Sequence, residues 1–348
     1  MSGKRIEWVD IVKYICIIFV MVHHLEGGSE VLYTFYASFF LKAFFFTAGY
    51  VYRHTNDFKG FFIKKVKGLF VPWLIFSILN ILLSQVLSFN EHGDLLTELG
   101  WNMLQIRNHG DGIWFVAALF VTFIPFYFMI KWSDDASKNR GITAIVICFF
   151  LSFGSLAYTK LMNPTLLPWN GAELPWHLEY IFQAMLFMVL GYYFRKEYEA
   201  KFDKYNTKVN RICLAVVYLA LIYLPHAFGI EFPVIIDMIY QYVRELAGVL
   251  LIVAVCKVMK TNRYISYVGQ NTLIYFALHG KVLSIIQTVL WKVVPGFYAA
   301  VLGNAISANI LVIVLSLVMS VLLIIPAWII NNFFPFIVGR NKRKEVQK

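Results

Sequence analysis

Residues 9–26 read VDIVKYICIIFVMVHHLE, an apolar run close to the ~20 residues that cross a hydrocarbon core, with Asp10 and Lys13 in its first turns and His23 and His24 near its end. Comparable runs follow at 31–52, 69–89, 113–132, 141–160, 178–194, 212–230, 238–258, 272–294 and 306–334, the last long enough to tilt or break near Pro326. Hydrophobic residues make up 59% of the 348 and charged residues 15%, against roughly 25% charged in a soluble domain. Helices apolar on every side need lipid around them, because a chain of this length cannot build ten of them around one dry core. The expected fold is an all-α polytopic membrane protein of about ten transmembrane helices, forming a single domain over 1–348 with no appended soluble domain.

The connecting segments alternate in basic content. The N-terminus, 53–68, 131–140, 195–211, 257–263 and the tail after Gly339 hold about 24 Lys and Arg, and the segments between them hold about one, Arg107. This asymmetry places both termini on the cytoplasmic side. It also explains the net charge of +11, which forms no stripe on a soluble domain and so does not point to nucleic acid. Lys4 and Arg5 precede the first run as they would in a signal peptide, but Lys13 lies within it and no small-residue cleavage site follows Glu26, so it reads as a retained helix. Cys16, Cys148, Cys213 and Cys256 each sit inside an apolar run with no CxxC spacing, which suits neither a disulfide framework nor a zinc site.

The longer loops, 90–112 and 161–177, fall on the expected outer side, where Trp101, Trp114, Trp169 and Trp176 fit an interfacial aromatic belt. On the inner side, residues 58–67 form a short basic amphipathic stretch suited to lipid headgroups. The runs do not divide into matching halves of the kind many transporters show.

The first helix holds the chemistry. Asp10 and Lys13 are three residues apart, and Lys13 and His24 are eleven apart, close to three turns, so the three line one stripe about 16 Å long from Lys13 to His24. Ionisable groups inside a bilayer are costly and mark functional sites by default. The plainer reading is that Asp10 and Lys13 snorkel or pair at the interface while His24 is merely wetted at a helix end.

The segment Glu7-Trp8-Val9-Asp10-Ile11-Val12-Lys13 running on to His24 resembles the opening of the membrane-bound acyltransferase-3 family. Phe44-Phe45-Phe46-Thr47-Ala48-Gly49-Tyr50 is similar to that family's FFFxSGY segment. Lys64, Lys65 and Lys67 ahead of Pro72-Trp73 resemble its basic loop before a Pro-aromatic helix start. Trp114-Phe115 resembles its WF pair, and residues 269–279, GQNTLIYFALH, its late segment ending in His. Within the family the chain looks most like the short sugar O-acetylases of the fucose 4-O-acetylase-like branch. Three departures stand out: Lys13 in place of a frequent Arg, Ala48-Gly49 in place of Ser-Gly, and Lys42 in place of a frequent Pro in the second helix.

The resemblance implies an O-acetyltransferase of the bacterial plasma membrane, which moves acetyl from cytoplasmic acetyl-CoA to a hydroxyl of a cell-envelope glycan or lipid-linked sugar. It implies no permanently bound cofactor and no metal. A neutral imidazole can take the proton of a sugar hydroxyl as that oxygen attacks a thioester, a role assigned here to His24, with Asp10 and His279 as further catalytic candidates. Lys13, Lys64, Lys65 and Lys67 are candidates for the coenzyme A phosphates, although topology alone also asks for the three loop lysines. Trp114 is a candidate for lining the acceptor opening.

Lys42 lies near mid-membrane, so it either pairs with an unidentified carboxylate or lines the cavity as a substrate-binding group. Asp237, Arg244, Glu245 and Lys281 suit structural ion pairs at least as well as catalysis, and His92, His109, His177 and His226 are read as solvent-facing. The competing class is a transporter or exporter of a polysaccharide or lipid-linked saccharide, with Lys42 and Arg244 along its path.

Overall fold

The computed structural model describes residues 5–87, 94–110, 112–134, 140–162, 167–169 and 171–340. Those residues hold helices and no strand. In chain order the helices are α1 Glu7–His24, α2 Glu30–Ala37, α3 Phe40–Val51, α4 Phe58–Lys65, α5 Val71–Leu87, α6 Leu95–Leu104, α7 Trp114–Ser133, α8 Gly141–Leu161 and α9 Ile181–Tyr193. They continue as α10 Glu199–Tyr205, α11 Lys208–Ala227, α12 Val234–Cys256, α13 Arg263–Gln270, α14 Thr272–Val293, α15 Pro295–Leu302, α16 Ala305–Leu322 and α17 Ile324–Phe333. Two π-helical turns, Val66–Phe70 and Phe194–Tyr198, join α4 to α5 and α9 to α10.

Among the described residues, eight helical stretches are long and apolar enough to cross a membrane. Two of the ten runs expected from the sequence fall outside that set for identifiable reasons. α1 carries Glu7, Asp10 and Lys13, and α9 is 13 residues long before its π turn brings in Arg195, Lys196 and Glu197. The long run at 306–334 does break: Leu323 separates α16 from α17, and Pro326 sits in the first turn of α17, where its missing N–H costs nothing.

Helix starts are written in short polar side chains. Ser29, Asp57, Asp94, Thr207, Asn262 and Asn304 each accept a hydrogen bond from a backbone N–H two or three residues on. The turn at Val66–Phe70 has a local cause too. Pro72 offers no N–H to the ladder, and Val71 N–H reaches Val66 O, one residue further back than in an α-helix.

The chain packs as two compact units. The first comprises Met1–Tyr52, Leu190–Tyr275 and His279–Leu323; the second comprises Arg53–Val189, Phe276–Leu278 and Ile324–Lys348. In the first unit α1 is the central helix, packed against α3, α12, α13 and α16. Its inward face, including Ile11, Val12, Cys16, Ile17 and Met21, is completely buried. In the second unit α4 and the turn after it pack with α7, that turn and α5 pack with the segment Pro335–Val338, and α7 also packs on α8.

Two glycines of the first unit let helices approach the backbone of a neighbour closely. A Cβ on Gly191 would run into the Phe46 carbonyl, and one on Gly269 into the Asp10 carbonyl. Gly191→Ala and Gly269→Ala are each expected to cost about 1–3 kcal/mol through forced backbone shifts. Gly154 in α8 faces open space, so Gly154→Ala is expected to be neutral or to stabilise by up to about 1 kcal/mol. Thermal unfolding of the three variants in one detergent measures the contrast; equal melting temperatures would refute it.

Candidate functional site

α1 ends at His24, whose exposed ring lies 4.9 Å, centroid to centroid, from the buried ring of His279 on α14. His23 stands 5.3 Å from His24 and stacks on Tyr33 at 5.5 Å. Immediately afterwards Leu25 is extended and Gly27 turns the chain at φ +96°, with no room for a Cβ beside Leu302. The first unit thus presents two neighbouring exposed imidazoles, His23 and His24, the second of them backed by a buried one. Nothing in a periodicity argument could have joined them, because they come from helices at opposite ends of the chain.

Asp10 is elsewhere. It lies fourteen residues before His24, about 21 Å along the helix axis, and its buried carboxylate holds the Arg5 guanidinium in a two-pronged pair. The sequence reading had counted Arg5 only as a topology signal. Lys13, expected on the same stripe, is half-buried and has no hydrogen bond or ion pair among the described residues.

Lys42 has a partner. Its Nζ lies 3.0 Å from Glu245 Oε1 with both groups buried, and Gln241 Nε2 donates to the same oxygen at 3.0 Å. Glu245 is the carboxylate with which Lys42 pairs. At the far end of α3, Tyr50 OH donates to both Glu199 oxygens at 2.8 Å, and Lys257 pairs with Glu199 and with Asp203 at 3.1 Å. Lys257 Nζ also lies 5.1 Å from the Trp8 ring centroid. These groups, of which the sequence reading takes in only Lys257, as a topology signal, tie α1, α3, α10 and α12 together.

In the second unit the three loop lysines divide. Lys65 Nζ sits 3.3 Å from the Phe123 ring centroid, held as a cation over an aromatic face, whereas Lys64 and Lys67 are exposed. Trp114 is half-buried, with the Arg107 guanidinium 5.1 Å from its ring and the His177 and Tyr180 rings at 5.3 and 5.8 Å.

His177 corrects its reading as a solvent-facing group, for it is fully buried. Both Trp176 and His177 adopt positive φ, 58° and 55°, uncommon for residues with a Cβ, and this folds the segment inward. Glu179 lies 3.8 Å from His177 Nδ1 and accepts the Leu174 N–H at 2.8 Å. Trp176 lies against Phe70 and Trp73 at 6.1 and 4.9 Å, and Trp101 stacks on His109 at 4.9 Å. A positive-φ pair has no signature in a sequence that lacks glycine there. His226 is exposed, and His92 lies outside the described residues.

Among the described residues no three His, Cys, Asp or Glu side chains gather as metal ligands, and Cys16, Cys148, Cys213 and Cys256 are free thiols. The bundle of apolar helices with charges held at specific points defines a multi-pass membrane protein. The chain matches the acyltransferase-3 family, described as an acyltransferase domain, over residues 6–329, and it belongs to that family. No curated protein and no solved structure matches it.

Proposed function

We propose that this membrane acyltransferase moves an acetyl group from cytoplasmic acetyl-CoA to a hydroxyl of a cell-envelope glycan or lipid-linked sugar in the bacterial plasma membrane. Ten spans are read from the apolar runs of the sequence, and the N-in/C-in orientation from the inside excess of Lys and Arg. The observation that carries the reading is the contact between exposed His24 and buried His279 in a chain of this family.

His24 accepts the proton of the acceptor hydroxyl as its oxygen attacks the thioester carbonyl; the C–S bond breaks, the thiolate takes up a proton, and the products are an O-acetyl ester and free CoA. His279 backs the His24 ring and limits its orientations. The exporter alternative drew on Lys42 and Arg244 as charges along a path, and the Lys42–Glu245 pair supplies a structural use for the first.

Purified protein in nanodiscs, given acetyl-labelled acetyl-CoA and a membrane glycan fraction, is expected to yield labelled ester that mild alkali releases. Absence of transfer, with saccharide movement across vesicles in its place, would favour the exporter.

Exposed Lys64 and Lys67 suit the phosphates of the donor, whereas Lys65 is engaged with an aromatic ring. Lys64→Ala and Lys67→Ala are each expected to raise the KM for acetyl-CoA about two- to fivefold with kcat unchanged, the scale of an exposed charge pair. At 0.5 M salt the difference from wild type should vanish. Lys65→Ala is expected to lower the melting temperature instead; equal KM effects from all three lysines would contradict this division.

A further inference from the structure

α12 carries two opposite charges at adjacent positions, Arg244 and Glu245, in the middle of a membrane span. Arg244 stands ten residues after Val234 and twelve before Cys256, about 15 and 18 Å along the axis. Successive helical residues point about 100° apart, so the two charges do not face each other. Glu245 turns inward, where Lys42 and Gln241 both reach its Oε1. Arg244 lies on the side of α11: Gly248, one turn further on, abuts Tyr218 of α11, and Tyr240, one turn back, donates its OH to the Leu221 carbonyl of α11.

Arg244 is half-buried and has no hydrogen bond or ion pair among the described residues. Its Nε is enclosed, so any bond to an outside anion falls to the two Nη groups. Cζ lies 5.4 Å from the Tyr240 ring centroid. A ring face returns less than the cost of holding an arginine at the centre of a span.

Water does not stand in for the missing anion. α11 buries only Tyr218 and Ile222, and Ile239, Val243 and Leu246 are exposed on the outward face of α12, so this helical hairpin faces lipid. Helical side chains lean toward the N-terminus, and the guanidinium accordingly lies over a ring one turn back. Tyr240 follows Val234 by six residues, which brings the charge to about 9 Å from that end of α12. A lipid headgroup drawn inward by local thinning of the bilayer reaches it there.

We propose that the α11–α12 face at Arg244 binds the phosphate of an anionic phospholipid, whose acyl chains lie along α11. The two Nη groups donate to phosphate oxygens as a fork, and the bond from Tyr240 to α11 holds the ring that supports the guanidinium. A zwitterionic phospholipid brings its own ammonium to the phosphate and gains less from Arg244. The site does not depend on the acyl-transfer reading.

Full-length protein purified in a nonionic maltoside and stripped of lipid tests this, with phosphatidylglycerol and phosphatidylcholine as probes and native mass spectrometry as the readout. Wild type is expected to prefer phosphatidylglycerol, and Arg244→Leu to retain one such lipid fewer through a loss of affinity at this site of about fivefold or more. Arg244→Lys keeps the charge without the fork and should bind the lipid with an affinity between those two. Without lipid, Arg244→Leu should melt no lower than wild type, because it removes a charge that has no protein counterion.

Equal retention of phosphatidylglycerol by wild type and Arg244→Leu would overturn the assignment, since the basic loops are the same in both. Equal binding of phosphatidylcholine by the wild type would do so too, as would a lysine variant that loses the lipid as fully as leucine does. A lower melting temperature for lipid-free Arg244→Leu would also overturn it, by giving the guanidinium to the fold through Tyr240.

Discussion

Replacing His24 by alanine is expected to cut kcat for acyl transfer by a factor of about 10²–10⁴, the range over which a positioned general base contributes. CoA affinity should stay at the wild-type value. The ring is exposed at the last residue of α1 and packs mainly against other imidazoles, so its loss should also leave thermal unfolding nearly unchanged. His24→Gln keeps polarity and bulk but cannot take up the proton, and should be as inactive as alanine. Transfer rates within about threefold of wild type in both variants would remove His24 from the mechanism. His279→Ala should instead show a smaller fall in rate together with reduced stability, as truncating a buried side chain does.

Lys42→Met is expected to destabilise the protein by about 3–5 kcal/mol, because it strands the Glu245 carboxylate in a buried, apolar setting. Combining Lys42→Met with Glu245→Leu should restore most of the loss, since no lone charge then remains. Reversible unfolding in mixed micelles measures both. The double variant also separates two roles for Lys42. If the pair is structural, the rescued protein transfers acetyl groups at close to the wild-type rate; if Lys42 contacts substrate, the protein is rescued in stability and remains inactive.

Sequence reasoning captured what depends on local composition. The apolar run of α1, the break ahead of Pro326 and the engagement of Lys42 with some carboxylate all follow from the cost of placing particular groups in lipid, a cost each residue carries wherever its partner lies. Partners were another matter. Glu245 is far from Lys42 in the chain, and His279 from His24, so only the packing of α12 against α3 and the placement of α14 bring them together. Arg5 escaped notice as the mate of Asp10 because it precedes the helix, where a helical face has no meaning. His177 was misread because burial there follows from two backbone angles rather than from side-chain polarity. Arg244 stood out as a charge within a span, but that Glu245 beside it is committed to Lys42 shows only in the packing.

The π turn at Val66–Phe70 alters how distance along this helix should be counted. A π turn holds one residue more than the α turn it replaces, so every side chain beyond it is rotated by about 100° from where an unbroken helical wheel would put it. Lys64 and Trp73 therefore belong to two different wheels, and multiples of 3.6 drawn from one to the other name the wrong face. Deleting a single residue between Val66 and Phe70 would shorten the chain by one part in several hundred, yet it would turn the whole of α5 against its neighbours by more than a quarter of a revolution. In this helix, register is set by an insertion rather than by a loop.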